Sequence, residues 1–189
     1  LNILTLKQDF NINDYKLINY LNIEENDSTL VLSNRNHPLI RKQMNNDKII
    51  SMKEHLIFIE NLKSNNNKGY WILKNKNKFI GSISLVNIDF KESSCVGGNF
   101  IDPNYIGTGM GLIINYFMHF LAFEKLSFKF MNAAIKKTNK NAIKINDFFG
   151  ANKINLSCND EVYINFQFLK SKWEEEIKLK TFKLLKYAN

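Results

Sequence analysis

The chain has 189 residues, of which 44% are hydrophobic and 23% charged, and its formal net charge is +8. This length and composition predict one globular domain spanning residues 1–189, and exclude a collagen-like or largely disordered chain. The positive charge is compatible with nucleic acid, a membrane surface or a phosphorylated small molecule as partner, and its scattered distribution does not choose among them.

The cysteines and the apolar segments narrow the class of protein further. Cys95 and Cys158 have no CxxC partner and no histidine at ligand spacing, so we expect neither a metal site nor a redox motif. No apolar run reaches the length of a membrane-spanning helix, and no basic-then-apolar leader opens the sequence. We therefore expect a cytoplasmic protein.

The first half of the chain contains one clear helix signal and one clear hairpin. Ser51 and Glu54 have the spacing of a capping box, and apolar residues at helical spacing follow them. Two apolar runs are separated by Lys74–Asn77, which is typical of a hairpin turn. Pro38 disfavours helical geometry at His37, so the chain must change direction there. The predicted strands lie at residues 1–6, 69–73 and 78–90, and the predicted helices at residues 27–34 and 51–64.

In the second half, strands and helices alternate. Gly150 follows an apolar-periodic segment in the position of a helix C-cap, and Ser171 with Glu174 has the spacing of a second capping box. The predicted strands lie at residues 94–101, 127–135 and 162–169, and the predicted helices at residues 108–126, 139–149 and 171–186. Helices followed by a three-strand meander and then alternating elements predict an α+β (mixed α/β) domain.

A glycine-rich loop is the most informative segment. Pro103 ends a predicted strand, and Gly107, Gly109 and Gly111 then open a helix, where free backbone amides and the helix dipole can bind an anion such as a pyrophosphate. A P-loop is excluded because Leu112, and not Lys, follows the last glycine. A Rossmann loop would follow the first strand of a βαβ unit, which this loop does not. A coenzyme A loop and a turn without a ligand remain.

Two motifs resemble those of the GCN5-related N-acetyltransferase (GNAT) family. The family's Gln/Arg-x-x-Gly-x-Gly/Ala loop is similar to Ile106–Gly111, with Ile106 in place of Gln or Arg. Its second motif, Asn-x-x-Ala-Ile-x-x-Tyr-x-x-x-Gly-Phe, is similar to residues 139–151, with Asn146 in place of Tyr and Ala151 in place of Phe. Residues 35–38, 54–63 and 80–83 further resemble bacterial N-acetyltransferases that act on nucleotide-linked 4-amino-sugars, as in the pseudaminic acid pathway.

The resemblance implies a fold, an activity and partners. The fold would be a mostly antiparallel twisted sheet, splayed at the acyl-CoA site and flanked by helices. The enzyme would move an acetyl or other short acyl group from coenzyme A, or from an acyl carrier protein, to the amine of a nucleotide-linked amino-sugar, without a metal, as a monomer or homodimer. A protein N-terminal or side-chain acetyltransferase is the alternative, and a nucleic-acid-binding module is a remote one.

The resemblance also assigns residues. Those expected to contact the acyl donor are Phe100, Ile101, Ile106, Gly107, Thr108, Gly109, Met110, Gly111 and Asn139, with a strand amide between Asn99 and Ile101 polarising the thioester. Those expected at the acceptor are Arg35, Asn36, His37 and Trp71. The catalytic candidates are His55 as base, Ser82 as a proton relay or sulfur ligand, and Asn146, which can donate a hydrogen bond but not a proton to the leaving sulfur. We expect His119 to be a core residue and Cys95 not to be a nucleophile.

Overall fold

The computed structural model describes residues 3–155, 161–183 and 185, and it folds around one eight-stranded sheet. The strands are β1 Phe10–Ile12, β2 Tyr15–Asn19, β3 Gly69–Asn75, β4 Lys78–Asp89, β5 Ser94–Ile101, β6 Phe130–Lys136, β7 Asn152–Ile154 and β8 Tyr163–Leu169. The helices are α1 Glu25–Asn36, α2 Pro38–Arg41, α3 Met52–Leu62, α4 Met110–His119, α5 Lys140–Phe148, α6 Lys170–Lys172 and α7 Lys178–Phe182. Short 3₁₀ turns lie at Ile3–Lys7, Tyr20–Asn22 and Pro103–Tyr105, and π-helical turns at Phe120–Lys125 and Trp173–Ile177.

The sheet has the order β1-β2-β3-β4-β5-β6-β8-β7, and every neighbouring pair is antiparallel except β5 and β6, which are parallel. The parallel pairing joins only Ser94–Val96 to Phe130–Asn132. Beyond Val96 the two strands diverge, while β5 stays paired with β4 and β6 stays paired with β8. The predicted mostly antiparallel sheet with a splay is therefore confirmed.

The two faces of the sheet are covered by different helices. On one face a large core forms beneath α4, with Trp71 and Ile83 fully buried in it. On the other face a smaller cluster joins Ile72 to Val31 of α1 and Leu62 of α3. Because successive strand residues point to opposite faces, neighbours such as Tyr70 and Trp71 belong to different clusters.

Two of the three predicted helix-end signals are confirmed and one is wrong. Ser51 Oγ accepts from the Glu54 amide at 3.3 Å, and Glu54 accepts from the Ser51 amide at 2.7 Å, which completes the capping box at α3. Asn139 caps α5 by accepting from Ala142, and Gly150 follows α5 with a φ of +73°. The second capping box does not form, because the last helical segment already begins at Lys170 and its N-cap, Leu169, makes no side-chain hydrogen bond.

Some predicted elements differ from the observed ones. The predicted strand at residues 1–6 is a 3₁₀ turn where the structure describes it, and neither the β1–β2 hairpin nor β7 was predicted. Leu1, Asn2, Cys158 and the end of the last predicted helix lie outside the described residues. Within the described part of the chain, no helix is long and apolar enough to cross a membrane.

Candidate active site

The gap between β5 and β6 exposes one edge of β5. The Asp102 amide donates to the Ile80 carbonyl at 2.8 Å, and these two residues continue the register of β5 against β4. In an antiparallel ladder the amides of every second residue point towards the partner strand. Phe100 and Gly98 therefore turn their amides towards β4. The amides of Asn99 and Ile101, by contrast, point towards the gap, where β6 no longer pairs with them. Backbone donors on a free edge of this kind can polarise a thioester carbonyl.

A cavity of about 690 Å³ passes through this gap and connects the two faces of the sheet. On the α1 and α3 side it is lined by aromatic, basic and hydroxyl side chains, and by the segment 43–46 and 48–50. On the α4 and α5 side it is lined by Asn99, Asn115, Met118, Asn139 and Asn146. One cavity thus offers a route from the glycine-loop side of the molecule to a polar pocket beneath α1 and α3.

The glycine loop has the backbone that its sequence predicts. Gly107 and Gly109 have φ angles of +86° and +89°, and a Cβ atom on either would have no other heavy atom within 4 Å. Gly109 is the N-cap of α4 and has no side chain that could cap the helix. The Leu112 amide donates to the Gly109 carbonyl at 2.9 Å, while the amides of Met110 and Gly111 have no partner among the described residues. Gly111 has a different role, because a Cβ there would lie 2.9 Å from Cδ1 of Ile145. It lets α4 pack closely against α5.

The other residues that were predicted to contact the acyl donor support this loop or lie beside the gap. Thr108 donates its hydroxyl to the Tyr105 carbonyl at 2.8 Å, which closes the turn. The side chain of Asn139 accepts from the Ala142 amide at 3.1 Å and so begins α5. Phe100 lines the cavity with its side chain, while its amide faces β4. Ile106 is partly exposed in the loop, and Met110 is the first residue of α4.

Asn146, which replaces the family's tyrosine, lies in the cavity wall and is only 4% exposed. Its side-chain amide donates to the Ala142 carbonyl at 2.7 Å, which fixes the orientation of the amide group. Asn115 on α4 makes the same contact with the Gly111 carbonyl at 2.8 Å. Each side chain keeps a second N–H and an oxygen that can meet a ligand, but neither can supply a proton.

The acceptor side of the cavity brings together Ser82, His55 and a tyrosine that the sequence did not single out. Tyr20 Oη and Ser82 Oγ are 2.6 Å apart, and both side chains are buried. The His55 ring lies 6.3 Å from the Tyr20 ring between centroids, and within the described residues its Nε2 atom has no hydrogen-bond partner. Burial lowers the pKa of His55 below its usual value, although a backbone hydrogen bond with Ser28 opposes the shift. The lowered pKa favours the neutral imidazole.

Arg35 also lines the cavity. Its Nη2 atom donates to the Asn46 carbonyl, while its Nη1 atom is buried and has no partner among the described residues. Burial lowers the pKa of this guanidinium, and the nearby charge of Arg41 adds to the effect. Tyr70 and Phe58 stand in the same wall with their rings at right angles and 5.0 Å apart.

Asn36 and His37 do not line the cavity but shape one of its walls. The Asn36 side chain donates to the Ile50 carbonyl at 2.8 Å and accepts from the Ile50 amide at 2.9 Å, which closes the loop after α2. His37 Nδ1 accepts from the Leu39 amide at 3.3 Å and caps α2. Lys136 at the end of β6 donates to the Lys42 carbonyl at 2.8 Å, so it joins this loop to the opposite wall.

The prediction that Trp71 contacts the acceptor is wrong. Its side chain is 0% exposed in the core beneath α4, and its indole N–H donates to the Gln8 carbonyl at 2.8 Å. The alternation along β3 places Tyr70, one residue earlier, in the cavity instead. His119 is a core residue as predicted, stacked between Phe149 and Trp173. Cys95 is buried and its thiol pKa is raised by burial, which does not suit a nucleophile.

Two acetyltransferases named PseH, from two strains of Campylobacter jejuni, are each 35% identical to this chain, over 133 and 130 residues. Each alignment covers 69% of this chain and 80% of the relative. The chain belongs to the PseH-type acetyltransferases of the GNAT family. It is accordingly an N-acetyltransferase, as the glycine loop and the motif at residues 139–151 predict. No family model matches the chain.

Solved structures agree on the GNAT fold. Crystal structures of C. jejuni N-acetyltransferase PseH, alone and in complex with acetyl coenzyme A, superpose with TM-scores of 0.66 and 0.65 at 24% identity. Each match covers 82% of this chain and 98% of the other. Spermidine N-acetyltransferase from Vibrio cholerae in complex with CoA and spermine superposes with a TM-score of 0.76 at 14% identity, covering 87% of this chain and 100% of the other.

Proposed function

We propose that this acetyltransferase moves an acetyl group from acetyl-CoA to the amine of a nucleotide-linked amino-sugar, in the cytoplasm and for the synthesis of a surface glycan. The observation that carries the proposal is the cavity that joins the gap between β5 and β6 to the pocket beneath α1 and α3. The donor enters from the glycine-loop side and the acceptor from the other side, so the two substrates meet at the gap.

On the donor side, the chain anchors and polarises the thioester. The first amides of α4, left open by Gly109, bind the pyrophosphate with help from the helix dipole. The Asn99 amide, which points into the gap, donates to the thioester oxygen as negative charge develops there. A preorganised donor of this kind lowers a barrier by about 3 kcal/mol.

On the acceptor side, the charges and rings suit a nucleotide. Arg35 offers its unpaired Nη1 atom to a phosphate, and Lys48 and Lys136 line the same cavity. Tyr70 and Phe58 provide ring surface for a base. His55, whose neutral form is favoured by burial, accepts the proton whose loss makes the amine nucleophilic. Asn146 and Asn115 face the cavity from α5 and α4 and hydrogen-bond the donor.

The donor and the acceptor are tested separately. Isothermal titration with CoA should show binding in the micromolar to submillimolar range, and no heat or thermal shift at millimolar CoA would exclude the donor. Mass spectrometry of products should then find acetylation among nucleotide-linked amino-sugars and none among N-terminal or lysine peptides. Acetylated peptides alone would replace the proposed acceptor with a protein, and turnover only from acyl carrier protein would replace the proposed donor.

A further inference from the structure

The hydroxyl pair formed by Tyr20 and Ser82 is held rigidly in the cavity wall. The two oxygens are 2.6 Å apart, and the residues are 4% and 3% exposed. The Tyr20 ring packs against the rings of Tyr70 at 5.4 Å and His55 at 6.3 Å between centroids. Both members of the pair line the cavity through which the two substrates meet. A buried hydroxyl pair facing a substrate cavity is placed to take part in proton transfer.

The direction of the hydrogen bond follows from what each hydroxyl can do. A hydroxyl carries one donor hydrogen and two acceptor lone pairs. If Tyr20 donates to Ser82, the phenol hydrogen and one lone pair of Ser82 Oγ form the hydrogen bond. The hydroxyl hydrogen of Ser82 and its second lone pair are then free to face the cavity. The phenol is the stronger acid of the two hydroxyls, with an ordinary pKa of about 10, and is therefore the better hydrogen-bond donor.

The next inference rests on the proposed function. We propose that Tyr20 is a positioning residue, whose hydroxyl orients Ser82 so that Ser82 carries the proton from the attacking amine to the leaving sulfur. As the C–N bond forms and the C–S bond breaks, the nitrogen gives a proton to the free lone pair of Ser82 Oγ. Ser82 passes its own hydrogen to the thiolate, so it ends unchanged and the products are an amide and a thiol. The phenol of Tyr20 keeps its proton throughout.

The proposal accounts for the absence of the family's tyrosine at Asn146. Proton delivery to sulfur no longer needs an acid on α5, because the proton comes from the amine itself. Ser82 on β4 pairs with Phe100 on β5, one residue along from Asn99, whose amide points into the gap. The hydroxyl pair and the backbone donor for the thioester oxygen are therefore neighbours across two adjacent strands.

The first experiment compares leaving groups. With acetyl-CoA, Tyr20→Phe should lower kcat about tenfold or more while both KM values stay within about threefold, because only proton transfer is affected. With an acetyl arenethiol ester, whose thiolate leaves without protonation, the loss should shrink to within about twofold. Tyr15→Phe is the matched control, since it removes a buried phenol hydroxyl in the core beneath α4 and should not alter kcat.

Ser82 supplies the second part of this test. Ser82→Ala should match Tyr20→Phe, the double variant should lose no more than either alone, and Ser82→Thr should retain most of the rate because it keeps the hydroxyl. Thermal unfolding confirms that each variant is folded. An equal loss with alkyl and aryl thioesters, or strictly multiplicative losses in the double variant, would show that Tyr20 acts only on packing.

A titration of bound CoA tests the same geometry without any acceptor. The ultraviolet absorbance of the thiolate reports the pKa of the bound thiol. Tyr20→Phe should raise this pKa by about one to two units, the size of one hydrogen bond to a charged group. If CoA binds to neither protein, the proposed donor and the role of Tyr20 both fall. If both bind CoA and the thiol titrates identically in each, only the role of Tyr20 falls.

Discussion

Gly109 allows the donor site to be tested with two substitutions that differ only in charge. Its φ of +89° places it in the left-handed region, and a Cβ atom there would meet no heavy atom within 4 Å. Gly109→Asp and Gly109→Asn therefore share the same backbone strain, about 1–2 kcal/mol, without a steric clash. Asn and Asp are also the side chains that tolerate this region best. The fold should survive both changes.

The two variants should differ sharply in donor affinity. The open space in front of Gly109 is where the pyrophosphate is proposed to sit, so an aspartate carboxylate would both repel a phosphate and compete for the first amides of α4. Two like charges 4 Å apart at an effective dielectric constant of 20 repel by about 4 kcal/mol. That energy corresponds to a roughly thousandfold rise in Kd. The same carboxylate lies at the N-terminus of α4, where negative charge is favourable. Without CoA, the aspartate variant should therefore unfold at the same temperature as the asparagine variant or a higher one.

Isothermal titration with CoA and thermal unfolding of the two variants provide the measurements. The difference in affinity should decrease as salt is added, because it is electrostatic. Turnover of S-acetyl-pantetheine, which lacks the pyrophosphate, should be the same for both variants. If Gly109→Asp binds CoA within about threefold of Gly109→Asn, the pyrophosphate does not lie at this loop and the donor assignment is refuted.

Three further predictions concern other parts of the site and the core. Arg35→Ala should raise the KM of the acceptor at least tenfold with little change for acetyl-CoA, and equal changes in both KM values would assign Arg35 a purely structural role. Asn146→Ala should lower kcat about tenfold, the loss of one hydrogen bond, and a loss of three orders of magnitude would mean that Asn146 holds the substrate or an essential water. Burial lowers the pKa of His119 to about 4, so between about pH 6.5 and 4 the unfolded chain binds a proton that the folded chain does not. His119 should therefore lower the free energy of unfolding by about 3 kcal/mol across that window as pH decreases, and urea titrations at several pH values should show a steeper slope in the wild type than in His119→Phe by about that amount.

Local signals in the sequence were sufficient for much of the fold. The capping box at Ser51, the hairpin after β3 and the glycine loop are each decided by neighbouring residues, and the structure confirms them. The β1–β2 hairpin was not predicted because its strands are only three and five residues long and turn at Asn13, which has a φ of +53°. Short strands of this kind are stabilised by the sheet that they join, and not by their own pattern.

Side-chain direction was harder to predict than element type. Tyr70 and Trp71 are adjacent aromatic residues, and which of them meets the cavity depends on which face of β3 the helices α1 and α3 cover. That information lies in the tertiary packing. Tyr20 was missed for a related reason, because it stands in a short 3₁₀ turn without periodicity and acquires its role only through Ser82, 62 residues away.

The alternation of residues along β5 explains how one strand can contact both substrates. Beyond Val96, its odd-numbered residues turn their backbone amides into the gap, so Asn99 can polarise the thioester. Their side chains face α4, where Nδ2 of Asn99 donates to Sδ of Met118 at 3.5 Å. Its even-numbered residues face the acceptor, where a Cβ on Gly98 would lie 3.0 Å from Ser84 Oγ. A one-residue shift of β5 against β4 would exchange these roles and move a bonded amide into the gap. The register between β4 and β5 is therefore as necessary to the proposed reaction as any side chain in the cavity.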